Sequence, residues 1–181
     1  RLLAGGVRLI SVEDDGIGIL PDELVLAFRR HATSKIGNLQ DLESVATMGF
    51  RGEALAAINS IADCAILSRA SHQSAAYLLD GRTGEIKPVA RSQGTTVEVK
   101  ELFYSTPARR KFLKTDATEL GHCIESVRRH ALARPDVGFA IWHEGKLAEQ
   151  WRRCEGPSPE ANLNQRLADV LGADFIAQSI A

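Results

Sequence analysis

Pro21 closes the most obvious reading of this sequence. The stretch "EDDGIGI", Glu13 to Ile19, follows a strand-like run and precedes a helix-like one, and Gly16-Ile17-Gly18 invites a dinucleotide-binding turn. That fingerprint, G-x-G-x-x-G, needs glycine or alanine where Pro21 stands. A phosphate-binding P-loop fails as well, because no glycine is followed by Lys and then Ser or Thr. A strand, a glycine turn and a helix are present, but not in the pattern of either common nucleotide fold.

The rest of the chain reads as short strands and a few helices. Val7 to Val12 is β-branched and apolar, as a strand requires. Asp14-Asp15-Gly16 forms a turn, and Pro21 suits the first turn of a helix carrying Leu24, Ala27, Phe28 and His31. Ala32 to Met48 reads as a loop with one short helix, and Glu53 to Ile61 as a small buried helix. Strands follow at Cys64 to Arg69, Ala76 to Asp80, Glu85 to Ala90 and Thr95 to Val99. Asp116, with Glu119 three residues on, is the expected cap of a helix whose stripe is Leu120, Ile124, Val127 and Ala131. Pro135 ends it. Val137 to His143 and Lys146 to Trp151 flank Glu144-Gly145 as a hairpin, "CEGPSP" (Cys154 to Pro159) reads as a linker, and helical spacing resumes from Leu163 to Leu171.

Composition removes several function classes. The 181 residues are 44% hydrophobic and 25% charged, as in ordinary globular proteins. With 22 basic and 23 acidic side chains the net charge is -1, so there is no global attraction to nucleic acid or membrane. No apolar run is long enough to span a bilayer. The three cysteines, Cys64, Cys123 and Cys154, form no CxxC pair, which favours reduced thiols over disulfides or zinc. The histidines lack H-x-x-H and H-E-x-x-H spacing, and no serine sits in a G-x-S-x-G frame.

Five stretches combine residues suited to chemistry. Asp14, an acceptor only when ionised, lies beside Gly16 and Gly18, so it suits an exocyclic amine such as that of adenine; the same residues also make a plain turn. Thr33, Ser34 and Lys35 in "HATSKI" suit phosphate oxygens, or a helix end with a cation near its dipole. In "GFRGEAL", Gly49 and Gly52 free the backbone around Phe50 and Arg51, and Glu53, Ala54 and Leu55 open a helix whose amides attract phosphate. Close packing alone also accounts for that glycine pair. Thr95 stands in "GTTVEV", and "FYSTPARRKFLK" (Phe103 to Lys114) suits nucleic-acid backbone or a solvated basic loop.

In this order, "DDGIGI", "HATSKI", "GFRGEAL", "GTT" and "FYSTPARRKFL" closely resemble the motifs of the MutL family of DNA mismatch repair proteins, within the ATPase superfamily of gyrase B, Hsp90 and histidine kinases (GHKL). The resemblance covers Leu9 to about Trp151. It implies a two-layer α/β sandwich, an α+β fold in which helices cover one face of a mixed, mainly antiparallel sheet. It implies that ATP and Mg2+ are the cofactors, with Asp14 at the adenine amine, Gly16 and Gly18 shaping that pocket, and Thr95 helping on the adenine side. Thr33, Ser34 and Lys35 would open the lid, and Gly49, Phe50, Arg51, Gly52, Glu53, Ala54 and Leu55 would wrap the phosphates. Asp15 stands where the family usually has Asn, and Ser105 likewise.

The domain expectation is an ATPase domain over 1–155, lacking its first helix, followed over 156–181 by a linker and the start of a second domain of ribosomal protein S5 type. The family's water-activating glutamate and magnesium-binding asparagine match no residue here, so no catalytic or metal residue is assigned. Little hydrolysis is expected of residues 1–181, since general-base removal costs about 10²–10⁴-fold. The family's role implies an ATP-driven clamp: homodimerisation through the N-terminal domains, coupling of the mismatch-recognition protein MutS to a strand-nicking endonuclease and helicase, contact with DNA, and no membrane. It implies a cytoplasmic, nucleoid-associated location in bacteria, or a nuclear one in eukaryotes. The alternative is a non-catalytic nucleotide-binding or DNA-binding fragment.

Overall fold

The structure is a computed structural model that describes residues 1–32 and 52–178. In chain order these form β1 (Leu2–Leu3), a 3-10 turn (Ala4–Gly6), β2 (Leu9–Asp14), α1 (Pro21–Leu24), α2 (Ala54–Asn59), β3 (Asp63–Arg69), β4 (Ala76–Asp80), β5 (Ile86–Val89), β6 (Gly94–Lys100), α3 (Pro107–Arg110), α4 (Asp116–Ala133), β7 (Phe139–His143), β8 (Lys146–Trp151), α5 (Pro159–Leu171) and α6 (Ala173–Ala177). They divide into two compact units: Leu9–Phe112, and Arg1–Arg8 together with the chain from Leu113 on.

The first unit is an antiparallel sheet in the order β5-β4-β3-β6-β2. Strand periodicity sets its inner face. Cys64, Ile66 and Ser68 of β3 alternate as buried residues and lie opposite Val99, Val97 and Thr95 of β6. Those three in turn lie opposite Ile10, Val12 and Asp14 of β2. Helical residues cover this face. Leu24 of α1, Ile66 and Leu79 form a closed cluster with Ile19, Ala27, Phe28 and Leu55 packed against it. Ala62, Cys64 and Val99 form a second cluster with Ile58 and Phe28. Each large aliphatic side chain buried there contributes about 1.5–3 kcal/mol. The apolar rows end in a polar one, Asp14–Thr95–Ser68, at a single end of the sheet.

The helix expected from Pro21 through His31 is a correction. Regular α-helix stops at Leu24, and His31 has φ 65°, outside the helical region. Phe28 and Ala27 still reach the core from successive turns, so the apolar spacing was right although the helix is short. The expected loop from Ala32 to Met48 falls, apart from Ala32, outside the described residues.

In the second unit β1 runs parallel to β7, with Leu2 opposite His143, and β7 pairs antiparallel with β8. The hairpin turn is the one the sequence indicated: Glu144 and Gly145 have φ 49° and 76°, the two positive values of a type I′ connection. α4 packs against the 3-10 turn and β7. Its cap is Thr115, whose side chain accepts from the Thr118 amide, so the expected cap at Asp116 sits one residue late. Glu119 turns back past the cap, its Oε1 accepting from the Lys114 amide at 2.8 Å and not from the Asp116 amide that the expected capping box would use.

The "CEGPSP" stretch is not all linker, and α5 starts four residues before the expected Leu163. Ser158 caps it, accepting from the Ala161 amide at 3.1 Å, and Pro159 takes the first helical position. Arg166 on α5 is completely buried. Its Nη2 donates to the carbonyls of Pro135 at 3.1 Å, Val137 at 2.8 Å and Arg152 at 2.9 Å. Among the described residues no helix is long and apolar enough to cross a membrane.

Candidate functional site

The polar row of the first unit is built from the backbone outward. β2 ends at Asp14, and its Oδ1 accepts from the Gly16 amide at 2.9 Å and from the Thr95 amide at 3.1 Å. The first contact is the Asx turn that "DDG" favours; the second ties the turn to β6. Among the described residues Oδ2 has no partner, so one oxygen is pinned and the other is open to a donor. Arg91 holds the same corner, with Nη2 donating to the Asp14 carbonyl at 2.9 Å and Nε to Thr96 Oγ1 at 3.0 Å. Gln93 Nε2 donates to the Gly16 carbonyl at 3.1 Å.

Gly18 has φ 76°, and a Cβ there would stand 2.1 Å from the Arg69 carbonyl. The glycine is therefore required where the 15–20 loop presses on the end of β3. Gly52 is similar, with φ 63° and a Cβ position 2.3 Å from the Ala32 carbonyl. Its own carbonyl accepts from the His31 amide at 2.9 Å. Both glycines serve close backbone packing first, and the shape this creates is what a ligand would meet.

α2 begins beyond Gly52, and Leu55 anchors it in the cluster that also holds Ile19. The "DDGIGI" loop, through Ile19, and the end of "GFRGEAL", through Leu55, thus pack against the same side of the sheet. Glu53 stands at the cap position without a side-chain capping bond and lies 3.5 Å from His31 Nδ1. A pocket of about 240 Å³ opens between Arg30, His31, Glu53 and Ala57. First-turn amides of a helix have no intrahelical acceptor, so those of Ala54 and Leu55 fit an anion. Thr33, Ser34, Lys35, Gly49, Phe50 and Arg51 lie outside the described residues.

Sequence reasoning missed Ser68. It is 0% exposed, and its Oγ accepts from the Ile19 amide at 2.8 Å and contacts the Gly94 carbonyl at 3.0 Å and Thr95 Oγ1 at 2.9 Å. A signal existed: Ser68 is the hydroxyl in an alternation that otherwise buries Cys64 and Ile66. Burial, helped by the charge of Asp63, pushes the Cys64 thiol up to about 11, so that thiol stays neutral and inert at ordinary pH. Among the described residues no group of three His, Cys, Asp or Glu could hold a metal ion. In the basic loop, Arg110 lies 3.4 Å from Glu101, and Phe112 is 80% exposed.

No family model matches the chain. It is 51% identical over 175 residues to the DNA mismatch repair protein MutL of Ralstonia nicotianae, covering 97% of this chain and 26% of that protein. It is 49% identical over 181 residues to MutL of Yersinia pestis, covering 98% of this chain and 28% of that one. The chain belongs to the MutL family. MutL proteins of this kind are much longer, and the chain spans about a quarter of the length of the curated relatives it matches. The Aquifex aeolicus MutL ATPase domain complexed with ADP is 28% identical, with a TM-score of 0.68, covering 94% of this chain and 58% of that one. The N-terminal domain of a DNA repair protein gives a TM-score of 0.71 at 29% identity, covering 94% and 51%. The α+β fold is therefore that of MutL ATPase domains.

Proposed function

We propose that the Asp14 end of the first unit binds the adenine of ATP. The observation that carries this is the pinning of Asp14 Oδ1 by two backbone amides, which leaves Oδ2 open as a fixed acceptor beside Thr95. A 6-amino group is a donor and meets these acceptors well, whereas a 6-oxo group does not. The similarity to an ATPase domain complexed with ADP supports the same reading. The acceptor set and the glycine-shaped loop fit a flat base with an exocyclic amine.

The triphosphate would lie toward the start of α2, against the amides of Gly52, Glu53, Ala54 and Leu55, with Gly49, Phe50 and Arg51 preceding them in the chain. Thr33, Ser34 and Lys35 would belong to the lid. Gly18 holds the base-side loop on the end of β3, and Gly16 closes the turn on Asp14. Magnesium would accompany the phosphates, and no ligand for it is assigned to these residues. When bound, ATP supplies the γ-phosphoryl whose presence and loss switch the molecule between two states; the ligand shifts that balance only by its preference for one state. In the longer MutL protein we infer ATP hydrolysis, dimerisation of N-terminal domains, coupling of MutS to a nicking endonuclease and helicase, and contact with DNA, in the bacterial cytoplasm.

Calorimetric titration with a non-hydrolysable ATP analogue tests the assignment. Asp14→Asn keeps one acceptor but turns the other position into a donor facing the adenine amine. The expected loss is roughly 10- to 100-fold in affinity, with the melting temperature nearly unchanged. Equal binding by the wild type and Asp14→Asn would remove Asp14 from the site.

A further inference from the structure

Ser68 has one proton and three polar neighbours, and the balance of donors fixes where that proton goes. The Ile19 amide can only donate, so it occupies a lone pair of Ser68 Oγ. The Gly94 carbonyl can only accept, so its 3.0 Å contact requires the Ser68 proton. Thr95 Oγ1, at 2.9 Å, is the neighbour able to play either part. If Ser68 donated to Thr95, two oxygens without a proton between them would face each other at Gly94. All three contacts are satisfied only when Ser68 donates to Gly94 and Thr95 donates to Ser68.

This arrangement uses up the Thr95 proton. The oxygen that remains on the inner face next to Asp14 carries lone pairs only. We propose that Ser68 is a specificity-determining positioning residue: by taking the Thr95 proton it makes Thr95 an acceptor, so that Asp14 and Thr95 together select a base bearing an exocyclic amine and reject one bearing a carbonyl. Ser68 is fully buried, so it acts through Thr95 and not by touching the base. The inference rests on the nucleotide reading above and adds the source of its base selectivity.

The test compares non-hydrolysable ATP with its inosine counterpart, which replaces the 6-amine by a 6-oxo group. The full chain is titrated as wild type, Ser68→Ala, Ser68→Thr and Thr95→Ala. The wild type is expected to prefer adenine by about tenfold or more. In Ser68→Ala the Thr95 hydroxyl is free to rotate and donate to the 6-oxo group, so the preference should fall at least about threefold below the wild-type ratio, while the part set by the Asp14 carboxylate remains. Ser68→Thr restores the hydroxyl and should restore the preference. In the Thr95→Ala background, Ser68→Ala should leave the preference unchanged, because the group it acts through is gone. A merely structural Ser68 would weaken both ligands equally and keep their ratio, and that result would overturn the proposal. So would a wild type that binds both bases equally well. If the wild type bound neither ligand, the nucleotide reading itself would fall, a result distinct from the loss of selectivity alone.

Discussion

Ser68 in the first unit and Arg166 in the second are both completely buried, yet they do opposite things with their polar atoms. Ser68 passes its hydrogen bonds along a chain of neighbours that ends at the open acceptors of Thr95 and Asp14. Arg166 turns its charge inward. One nitrogen serves three carbonyls from two segments, the guanidinium lies 5.9 Å from the Phe139 ring, and among the described residues Nε and Nη1 are buried without partners. A buried polar group whose bonds lead to a neighbour at an open face can shape a site; one enclosed by carbonyls ties elements together. On the proposed reading the first unit carries recognition, whereas the second carries a clamp that fixes α5 to the segments around β7 and β8.

Breaking the clamp should give the largest effect. Arg166→Met leaves three carbonyls without their shared donor and should cost about 2–4 kcal/mol in urea unfolding. Arg166→Lys should cost less, because one ammonium has three protons for three carbonyls and brings no orphan N–H. Neither change should alter nucleotide affinity in the protein that stays folded. A loss of affinity in the folded protein would show that the clamp and the site are coupled.

Gly18→Ala tests the other side of the comparison. The added Cβ meets the Arg69 carbonyl in a backbone conformation that L residues rarely adopt, and a cost of roughly 1–3 kcal/mol is expected. Here affinity should fall together with stability, because the loop carrying the Asp14 turn must move. Unchanged affinity in titrations of the folded variant would detach Gly18 from the site.

The smallest effect belongs to the surface of the second unit. Arg134 bonds Asp136 at 2.7 and 2.8 Å and holds that carboxyl well below its ordinary range, at about 2. A depressed carboxylate stabilises the fold above the unfolded value near 3.8, and that contribution is lost as pH falls toward 2. Arg134→Ala should return the Asp136 titration, followed by carboxyl NMR, toward its ordinary value. The urea midpoint at neutral pH should barely move, since exposed ion pairs contribute little. A large drop would mean that surface charge, and not Arg166, stabilises this unit.

Much of this was legible in the residues. Gly145 announced its hairpin because glycine readily adopts the positive φ the turn needs, although Glu144 beside it takes a positive φ that its residue type does not favour, and the β3 to β6 strands followed from alternation and β-branching. Asp14, Gly16, Gly18 and Thr95 were legible as candidates because their motifs have a mechanism and an order. Ser68 was not, because a serine in an apolar alternation looks like a tolerated substitution until its three partners are seen. Arg166 was hidden for the same reason: periodicity places an arginine on a helix surface, and only the tertiary carbonyls around it explain its burial. The early start of α5 was missed because Ser158 and Pro159, a cap and a first-turn residue, have the composition of a linker.

The most direct measurement is a crystal structure of the chain with a non-hydrolysable ATP analogue. The account predicts the adenine amine within about 2.7–3.2 Å of the free Asp14 carboxylate oxygen, with the Thr95 hydroxyl on the same edge of the base. An analogue bound elsewhere, or an adenine whose amine points away from Asp14, would contradict it.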